Sequence, residues 1–145
     1  MGIVVKVQGF DEGKAVFKQA ASSFDGVVTE QLHTFGLEAI DKLKEWIYSG
    51  ELNLTPKRRH DGNPVLVKTG TYLESFTSIA VKNELAIAPL GMNENMTNEE
   101  LGEILEYGTD QIAARPHIRP LNLWTEKQLP VLAEKIVLGI LGEKT

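Results

Sequence analysis

Two arginine–proline pairs give this sequence its clearest candidates for recognition chemistry. Arg115-Pro116 and Arg119-Pro120 stand close together, shortly after Tyr107-Gly108-Thr109. Proline fixes its own φ and favours extended geometry in the residue before it, so each arginine is expected on a stiff, extended stretch. A guanidinium offers five donors in a planar fork, which suits carboxylates and phosphates. The pattern predicts either a contact with a neighbouring subunit or a clamp inside the same chain, and both interpretations stay open.

A second candidate for recognition is a basic cluster in the first half of the chain. Lys57, Arg58 and Arg59 are followed directly by His60. The phosphates of a nucleic acid respond to local charge, so this cluster is a candidate contact for DNA or another partner. The run is short and the net charge of the chain is −5, which favours an exposed loop tip. A small nucleic-acid-binding module acting through this loop is the alternative function.

The histidines and hydroxyl residues do not form a recognisable catalytic or metal site. His33, His60 and His117 lack the spacing of metal ligands, and the chain has no cysteine. The sequence also lacks a serine-nucleophile elbow and a phosphate-binding glycine loop. We therefore expect no catalytic residue, no metal and no cofactor, and we interpret the protein as a non-enzyme.

A run of acidic residues offers a weaker form of carboxylate chemistry. Glu99, Glu100, Glu103 and Glu106 would stand at helical spacing. Solvated faces of acidic proteins commonly carry such runs, so we interpret this one as exposed. A small hydrolase using these carboxylates is a third function to be weighed, and it would require a confined pocket with raised carboxylate pKa values.

The N-terminal half must supply a strand and one long apolar helical face. Ile3, Val5 and Val7 alternate with exposed positions, which predicts a half-buried strand. Apolar residues then recur at spacings of three, four or seven, which predicts a helix; they are Phe17, Phe24, Val28, Leu32, Phe35, Ala39, Leu43 and Ile47. Asp25-Gly26 and Gly36 weaken that helix, so two helices or one kinked helix are predicted.

The C-terminal half predicts a hairpin, two helices and two flexible loops. Residues 49–68 and 91–98 are polar connections, and we predict that they are mobile. Between them come a helical turn at 69–75 and a hairpin of 76–81 with 85–88. Thr97 opens a capped helix that ends at Gly108. The Arg-Pro segment follows as an extended, strand-like stretch. A last helix, with Pro130 near its start or at a kink, has an apolar face made of Leu129, Leu132, Ile136 and Ile140. Tyr72, Phe76, Tyr107 and Trp124 follow these periods and are interpreted as core or interface anchors.

These elements predict a single α+β domain over residues 1–145, with a small antiparallel sheet packed against two or three helices. The length of 145 residues and the 42% hydrophobic content suit one globular core. The sequence shows neither a signal peptide nor an apolar run that could span a membrane, so we expect a soluble, cytoplasmically made protein with no membrane partner.

Two segments, taken in order, resemble the virion morphogenesis and tail-completion proteins of tailed bacteriophages. Val65–Phe76, which contains Lys-Thr-Gly at 68–70, resembles the family's apolar, Asp-Thr-Gly signature. Glu106–Pro120 contains Tyr-Gly-Thr and then Ala-Arg-Pro-His-Ile-Arg-Pro, where the family has Ala-Arg-Pro-Phe-Leu-Arg-Pro. The ordered combination is more specific than either motif alone.

The sequence departs from the family pattern at a few positions within these segments. Lys68 stands where the family has Asp, Thr71-Tyr72 replace a basic pair, and His117 stands where Phe is common. The first departure removes the acid of any ion pair that the family makes from that Asp, for instance to one of its arginines.

The resemblance implies a structural protein of the virion neck or tail. It implies a subunit that forms a ring, six-membered in the virion, at the head-proximal end of the tail, with double-stranded DNA passing through the lumen without sequence-specific contacts. The implied partners are further copies of the chain, the tail tube or tail terminator, and the head connector or head-closure proteins. The residues expected at subunit contacts or in loop locking are Gly70, Tyr107, Gly108, Thr109, Arg115, Pro116, Arg119 and Pro120.

Overall fold

A computed structural model describes residues 2–16, 21–52, 54, 59 and 62–142 of the chain. Within these residues helices pack on one face of a small antiparallel sheet, so the α+β prediction is confirmed. The elements in chain order are β1 (Ile3–Lys6), α1 (Phe10–Val16), α2 (Ala21–Ser49), α3 (Thr71–Glu74), β2 (Phe76–Val81), β3 (Glu84–Pro89), β4 (Met92–Asn93), β5 (Met96–Thr97), α4 (Asn98–Tyr107) and α5 (Ile118–Ile140).

The sheet has one covered and one open face. Its strands lie in the order β1-β3-β2, and both neighbouring pairs are antiparallel. Alternation places Ile3, Leu85 and Ile87 in the core, as period-two strands require. On the opposite face Val4 is 73% exposed and Val81 is 65% exposed. The predicted hairpin is therefore present, with an apolar outer face on the sheet.

Helix α2 is the central element, and it runs unbroken past both of its predicted weak points. It contacts β2 and β3 of the sheet and also packs against α5, where the rings of Phe35 and Trp124 stack with centroids 6.0 Å apart. A Cβ on Gly36 would lie 2.1 Å from Oγ of Ser78. The glycine thus permits close approach of helix and sheet, and of the two predicted forms the division into two helices at Gly36 is wrong. His33, on the same helix, is exposed, and its Nδ1 lies 3.1 Å from Oγ of Ser78.

The asparagine-rich segment before α4 is a small hairpin rather than a structureless loop. β4 and β5 pair antiparallel through Met92–Thr97 and Asn93–Met96. The predicted capping box of α4 is confirmed, because the Glu100 N–H donates to Oγ1 of Thr97 and the Thr97 N–H donates to Oε2 of Glu100. The segment at 91–98, predicted as a flexible loop, therefore contains a short paired hairpin. The chain reverses direction at the tip of the hairpin, where Glu94 adopts a positive φ of 56°.

The last helix begins much earlier than the apolar pattern indicates. Residues 108–117 are irregular, with no strand, and α5 starts at Ile118. Arg119 and Pro120 therefore lie in the first helical turn, which corrects the expectation of extended backbone there. Proline is well tolerated in that turn because its missing N–H would have no intrahelical acceptor. Pro130 lies inside the helix.

The polar connection at 49–68 is described only in part. Val65 and Leu66, at its end, are buried. Lys57, Arg58 and His60 of the basic cluster lie outside the described residues, as does much of the predicted mobile loop.

Candidate functional site

A tight turn after α4 brings the Arg-Pro segment back onto that helix. Gly108 has φ of 75°, and a Cβ there would lie 2.7 Å from backbone atoms of both Ala114 and Ile112. Oγ1 of Thr109 accepts hydrogen bonds from the N–H groups of Gln111 and Ile112. The Arg115 N–H donates to the Leu105 carbonyl at 2.6 Å. Gly108 and Thr109 therefore both take part in forming this turn.

The turn places a buried carboxylate of α4 at the start of α5. Oε1 of Glu106 accepts hydrogen bonds from the backbone N–H groups of His117, at 2.9 Å, and Ile118, at 2.7 Å. Oε2 accepts from the Arg119 N–H at 3.2 Å. The first N–H groups of a helix have no acceptor inside the helix, and the helix dipole favours a negative charge beside them. Glu106 therefore caps α5 from a different helix.

Arg119 completes this arrangement within the same chain. Its Nε lies 3.0 Å from Oε2 of Glu106, and its Nη2 donates to the Glu106 carbonyl at 3.4 Å. Its guanidinium also lies over the ring of Tyr107, 5.4 Å from the centroid. The side chain is 58% exposed, so one surface of the guanidinium still faces solvent. In this chain Arg119 is a clamp on a carboxylate, one of the two roles that the sequence left open.

His117 links the Arg-Pro segment to the other motif of the resemblance. Its ring is fully buried, with Nδ1 2.9 Å from the Arg115 carbonyl and Nε2 2.5 Å from the phenol oxygen of Tyr72. A carbonyl can only accept, so Nδ1 carries a proton. When the ring is neutral, Nε2 is therefore an acceptor and the Tyr72 hydroxyl donates to it.

Burial and hydrogen bonding fix the charges in this cluster. Burial lowers the pKa of His117, outweighing the contacts with the Arg115 carbonyl and Glu106 that raise it. Burial alone would raise the pKa of Glu106, but hydrogen bonds from the His117 and Ile118 backbone and the Arg119 side chain lower it below its ordinary value. Burial, followed by the nearby Glu106 charge, raises the pKa of Tyr72. At neutral pH the cluster holds one carboxylate, a neutral imidazole and a neutral phenol.

A cleft of about 310 Å³ opens beside this cluster, between α4, the β4–β5 hairpin and the segment before α3. Leu66, Leu101 and Leu105 provide an apolar lining, whereas Lys68 and Arg115 provide positive charge. Nε of Arg115 is inaccessible to solvent and has no hydrogen-bond partner among the described residues. The described residues also contain no ion pair of Arg115. Unlike Arg119, whose guanidinium is paired with Glu106, Arg115 thus lines the cleft with no carboxylate partner among the described residues.

The other predicted site residues lie near the two arginines, in the cleft lining, in the first turn of α5 or on the surface. Gly70 has φ of 85° and precedes α3, where it lines the cleft. Pro116 is partly buried between Arg115 and His117, and Pro120 lies in the first turn of α5. Tyr107 is 62% exposed, so of its two predicted roles, core or interface anchor, the core role is wrong and the interface role stays a prediction; its ring contacts Arg119. Arg59, from the basic cluster, also lines the cleft.

Sequence reasoning missed the residue at the centre of the site. The acidic run predicts a solvated position for Glu106, but this residue is completely buried, whereas Glu99, Glu100 and Glu103 are exposed. A usable signal is its position directly after Leu105, on the border of the apolar stripe of α4. The roles of Tyr72 and His117 depend on contact between distant segments, and no local pattern encodes it.

Neither a metal cluster nor a membrane-spanning helix is found in the described part of the chain. Within those ranges, no three His, Asp or Glu side chains gather as potential metal ligands. None of the helices there combines the length and apolarity needed to cross a bilayer.

Comparisons of the chain with protein-family models, with curated proteins and with solved structures find no match.

Proposed function

We propose that this protein is a structural assembly subunit of a tailed bacteriophage, acting in tail completion or head–tail joining as part of a ring through which DNA passes. The observation that supports it most is the packing of the two resemblance motifs against each other. Tyr72 of the first motif donates to His117 of the second across 45 residues of sequence. Both residues differ from the family's usual ones, so the support lies in the two segments packing side by side in the fold and not in this hydrogen bond itself.

The chemistry of the cluster also favours a structural role. Glu106 is engaged by four hydrogen bonds from His117, Ile118 and Arg119, and its pKa is lowered. A carboxylate acting as a general acid needs the opposite shift and an open face for substrate. The residues of this cluster hold two segments together, and we assign them no catalytic role.

The open face of the sheet is the surface we assign to contacts between copies in the ring. Val4, Ala86 and Ile79 form one cross-strand row on that face, and Lys6, Glu84 and Val81 form the next. Val4, Ile79 and Val81 are large apolar side chains left exposed. Closed rings use heterologous contacts, in which this face of one subunit meets a different face of the next. The net charge of −5 suits a lumen through which DNA slides without binding.

The test is to examine particles assembled in cells that lack this protein. We expect unjoined heads and tails, or tails with aberrant ends, in negative-stain electron micrographs. Normal, infectious particles would contradict the proposal. A plasmid copy should restore joining, a copy carrying Ile79→Lys should not, and Leu37→Lys, which alters an exposed apolar residue on α2, should restore it.

Nucleic-acid binding through Lys57, Arg58 and Arg59 is the alternative function. It requires an affinity for duplex DNA that falls steeply as salt rises and is lost when all three residues are replaced by alanine. An affinity unaffected by both changes would eliminate this alternative.

A further inference from the structure

We infer that the cleft between α4, the β4–β5 hairpin and the segment before α3 binds a peptide that presents a carboxylate next to an apolar side chain. The cleft lies within one chain, so a ligand can occupy it whether or not the chain forms a ring. This gives Arg115 a role distinct from that of Arg119, although the two residues belong to the same sequence motif.

Arg115 presents to the cleft a guanidinium that has no carboxylate partner in the described part of the chain. Its backbone is fixed from both sides, because its N–H donates to the Leu105 carbonyl and its own carbonyl contacts Nδ1 of His117. Its partly buried side chain lines the cleft, and its Nε has neither solvent nor a hydrogen-bond partner in the described part of the chain. A guanidinium with an unpaired donor gains from a carboxylate placed in the cleft, because charge-assisted hydrogen bonds are stronger than neutral ones.

The charged residues of the cleft also favour an anionic ligand. Among the described residues that line it, Lys68 and Arg115 are cationic and Glu94 is acidic. Arg59 aside, these two cations against one carboxylate give the described part of the cleft a positive charge, although the whole chain is acidic. Electrostatic complementarity therefore selects an anionic ligand.

The apolar part of the lining favours a peptide over a nucleic acid. Val65, Leu66, Leu101 and Leu105 line the cleft alongside the cations, and a phosphate backbone offers nothing to bury against them. A glutamate or aspartate beside a leucine-sized side chain satisfies both parts of the cleft, as ligand sites commonly combine an apolar wall with a few charged groups.

The experiment is a titration of the full chain followed by ¹H–¹⁵N NMR, including the Nε–Hε signals of arginine. The probe is the blocked dipeptide acetyl-leucyl-glutamate amide, and its neutral match is acetyl-leucyl-glutamine amide. We expect the glutamate probe to shift the Arg115 Nε–Hε and Gly70 amide signals, and the glutamine probe to bind at least about tenfold more weakly. Equal binding of both probes, or no shift at millimolar probe, would overturn the inference.

Variants and competitors distinguish a peptide site from a nucleic-acid site and from a simple anion site. Arg115→Gln and Lys68→Gln should each weaken the glutamate probe by about tenfold, whereas Lys127→Gln, the same charge change on the exposed part of α5, should not. If Arg115→Gln does not fold, Lys68→Gln still decides the matter. A short DNA duplex that shifts the same signals at lower concentration than the peptide would assign the cleft to nucleic acid and refute a peptide site. Inorganic phosphate that displaces the peptide at equal concentration would show a simple anion site and would also refute it.

Discussion

The phenol oxygen of Tyr72 lies 2.5 Å from Nε2 of His117, and this buried contact joins α3 to the residue that precedes α5. The rings also meet edge to face, with centroids 5.6 Å apart. Phe76 lies in the same aromatic group, 5.4 Å from Tyr72. His117 thus lies among aromatic rings and adds a hydrogen bond to them.

Replacing Tyr72 with phenylalanine should destabilise the protein through this one contact. The ring would stay in place, but Nε2 of the buried His117 would lose its donor, and an unsatisfied buried acceptor costs about 1–3 kcal/mol. Urea unfolding followed by circular dichroism measures the free energy of unfolding. Tyr48→Phe, at a residue that is 54% exposed, is the matched control and should leave it nearly unchanged.

Replacing Glu106 with glutamine should destabilise the protein more than replacing Tyr72 with phenylalanine. One carboxylate oxygen would become an amide N–H₂ that faces N–H groups at the start of α5, and the charge beside Arg119 would disappear. We expect a loss of about 3 kcal/mol, the scale for breaking a buried, hydrogen-bonded charge pair. Glu103→Gln removes an exposed carboxylate from the same helix and should change stability by less than about 0.5 kcal/mol. Equal effects of the two variants in thermal or urea unfolding would show that Glu106 does not cap α5.

The stability of the protein should fall in two stages as the pH is lowered. The pKa of His117 is lowered from 6.5 in the folded protein, so the unfolded chain binds a proton first, and stability is complete only above that value. The pKa of Glu106 is lowered from 4.5, so a second loss begins below that value as the unfolded chain takes up another proton. Each such proton contributes a slope of at most about 1.4 kcal/mol per pH unit.

The His117→Phe variant tests the first stage of that pH dependence. Phenylalanine keeps an aromatic ring in the site but cannot titrate, so the slope just below pH 6.5 should shrink by the contribution of one proton. Urea unfolding of both proteins across this range provides the comparison. An unchanged slope would mean that the His117 imidazole is not held neutral by its burial.

Replacing Gly108 with alanine should disrupt the turn that carries the Arg-Pro segment. The new Cβ would meet backbone atoms of Ala114 and Ile112 at 2.7 Å, and backbone cannot move aside as a flexible side chain can. Gly50→Ala is the control, because its φ is 77° but its Cβ would have nothing within 4 Å. We expect Gly50→Ala to lower the free energy of unfolding by about 1 kcal/mol because of its positive φ alone. Gly108→Ala should lower it by at least about 2 kcal/mol more because of the steric collision. Similar melting temperatures for the two variants would contradict the tight packing of this turn.

Two glycines of α2 should respond in opposite directions to alanine. A Cβ added to Gly26 would have nothing within 4 Å, so alanine should stabilise the helix by about 0.5–1 kcal/mol. At Gly36 the same methyl would lie 2.1 Å from Oγ of Ser78 and 2.9 Å from Cδ1 of Leu85, and overpacking of this kind costs about 1–3 kcal/mol. Thermal unfolding of both variants checks the difference in sign, and a stabilising Gly36→Ala would show that α2 and the sheet can separate.

Much of the local structure could be predicted because its cause is local. The alternation at Ile3, Val5 and Val7 and the capping box of Thr97 and Glu100 each depend on neighbours within a few residues. The strand predicted for the Arg-Pro segment failed because the helical start of α5 depends on Glu106, which is supplied by another helix. The residue before a proline prefers extended backbone, but the cap that Glu106 provides to α5 outweighs this local preference at Arg119.

The sequence alone determined the α+β class, the central apolar face of α2 and the pairing of β2 with β3, because hydrophobic period and turn chemistry are written in consecutive residues. Only the tertiary structure decided that Glu106 is buried, that Arg119 clamps it while Arg115 faces a cleft, and that Tyr72 bonds to His117. The physical reason is that a buried charge or hydroxyl must form a hydrogen bond, and the partner in that bond determines what the group does. For these residues the partner is brought into place by the fold of a distant segment.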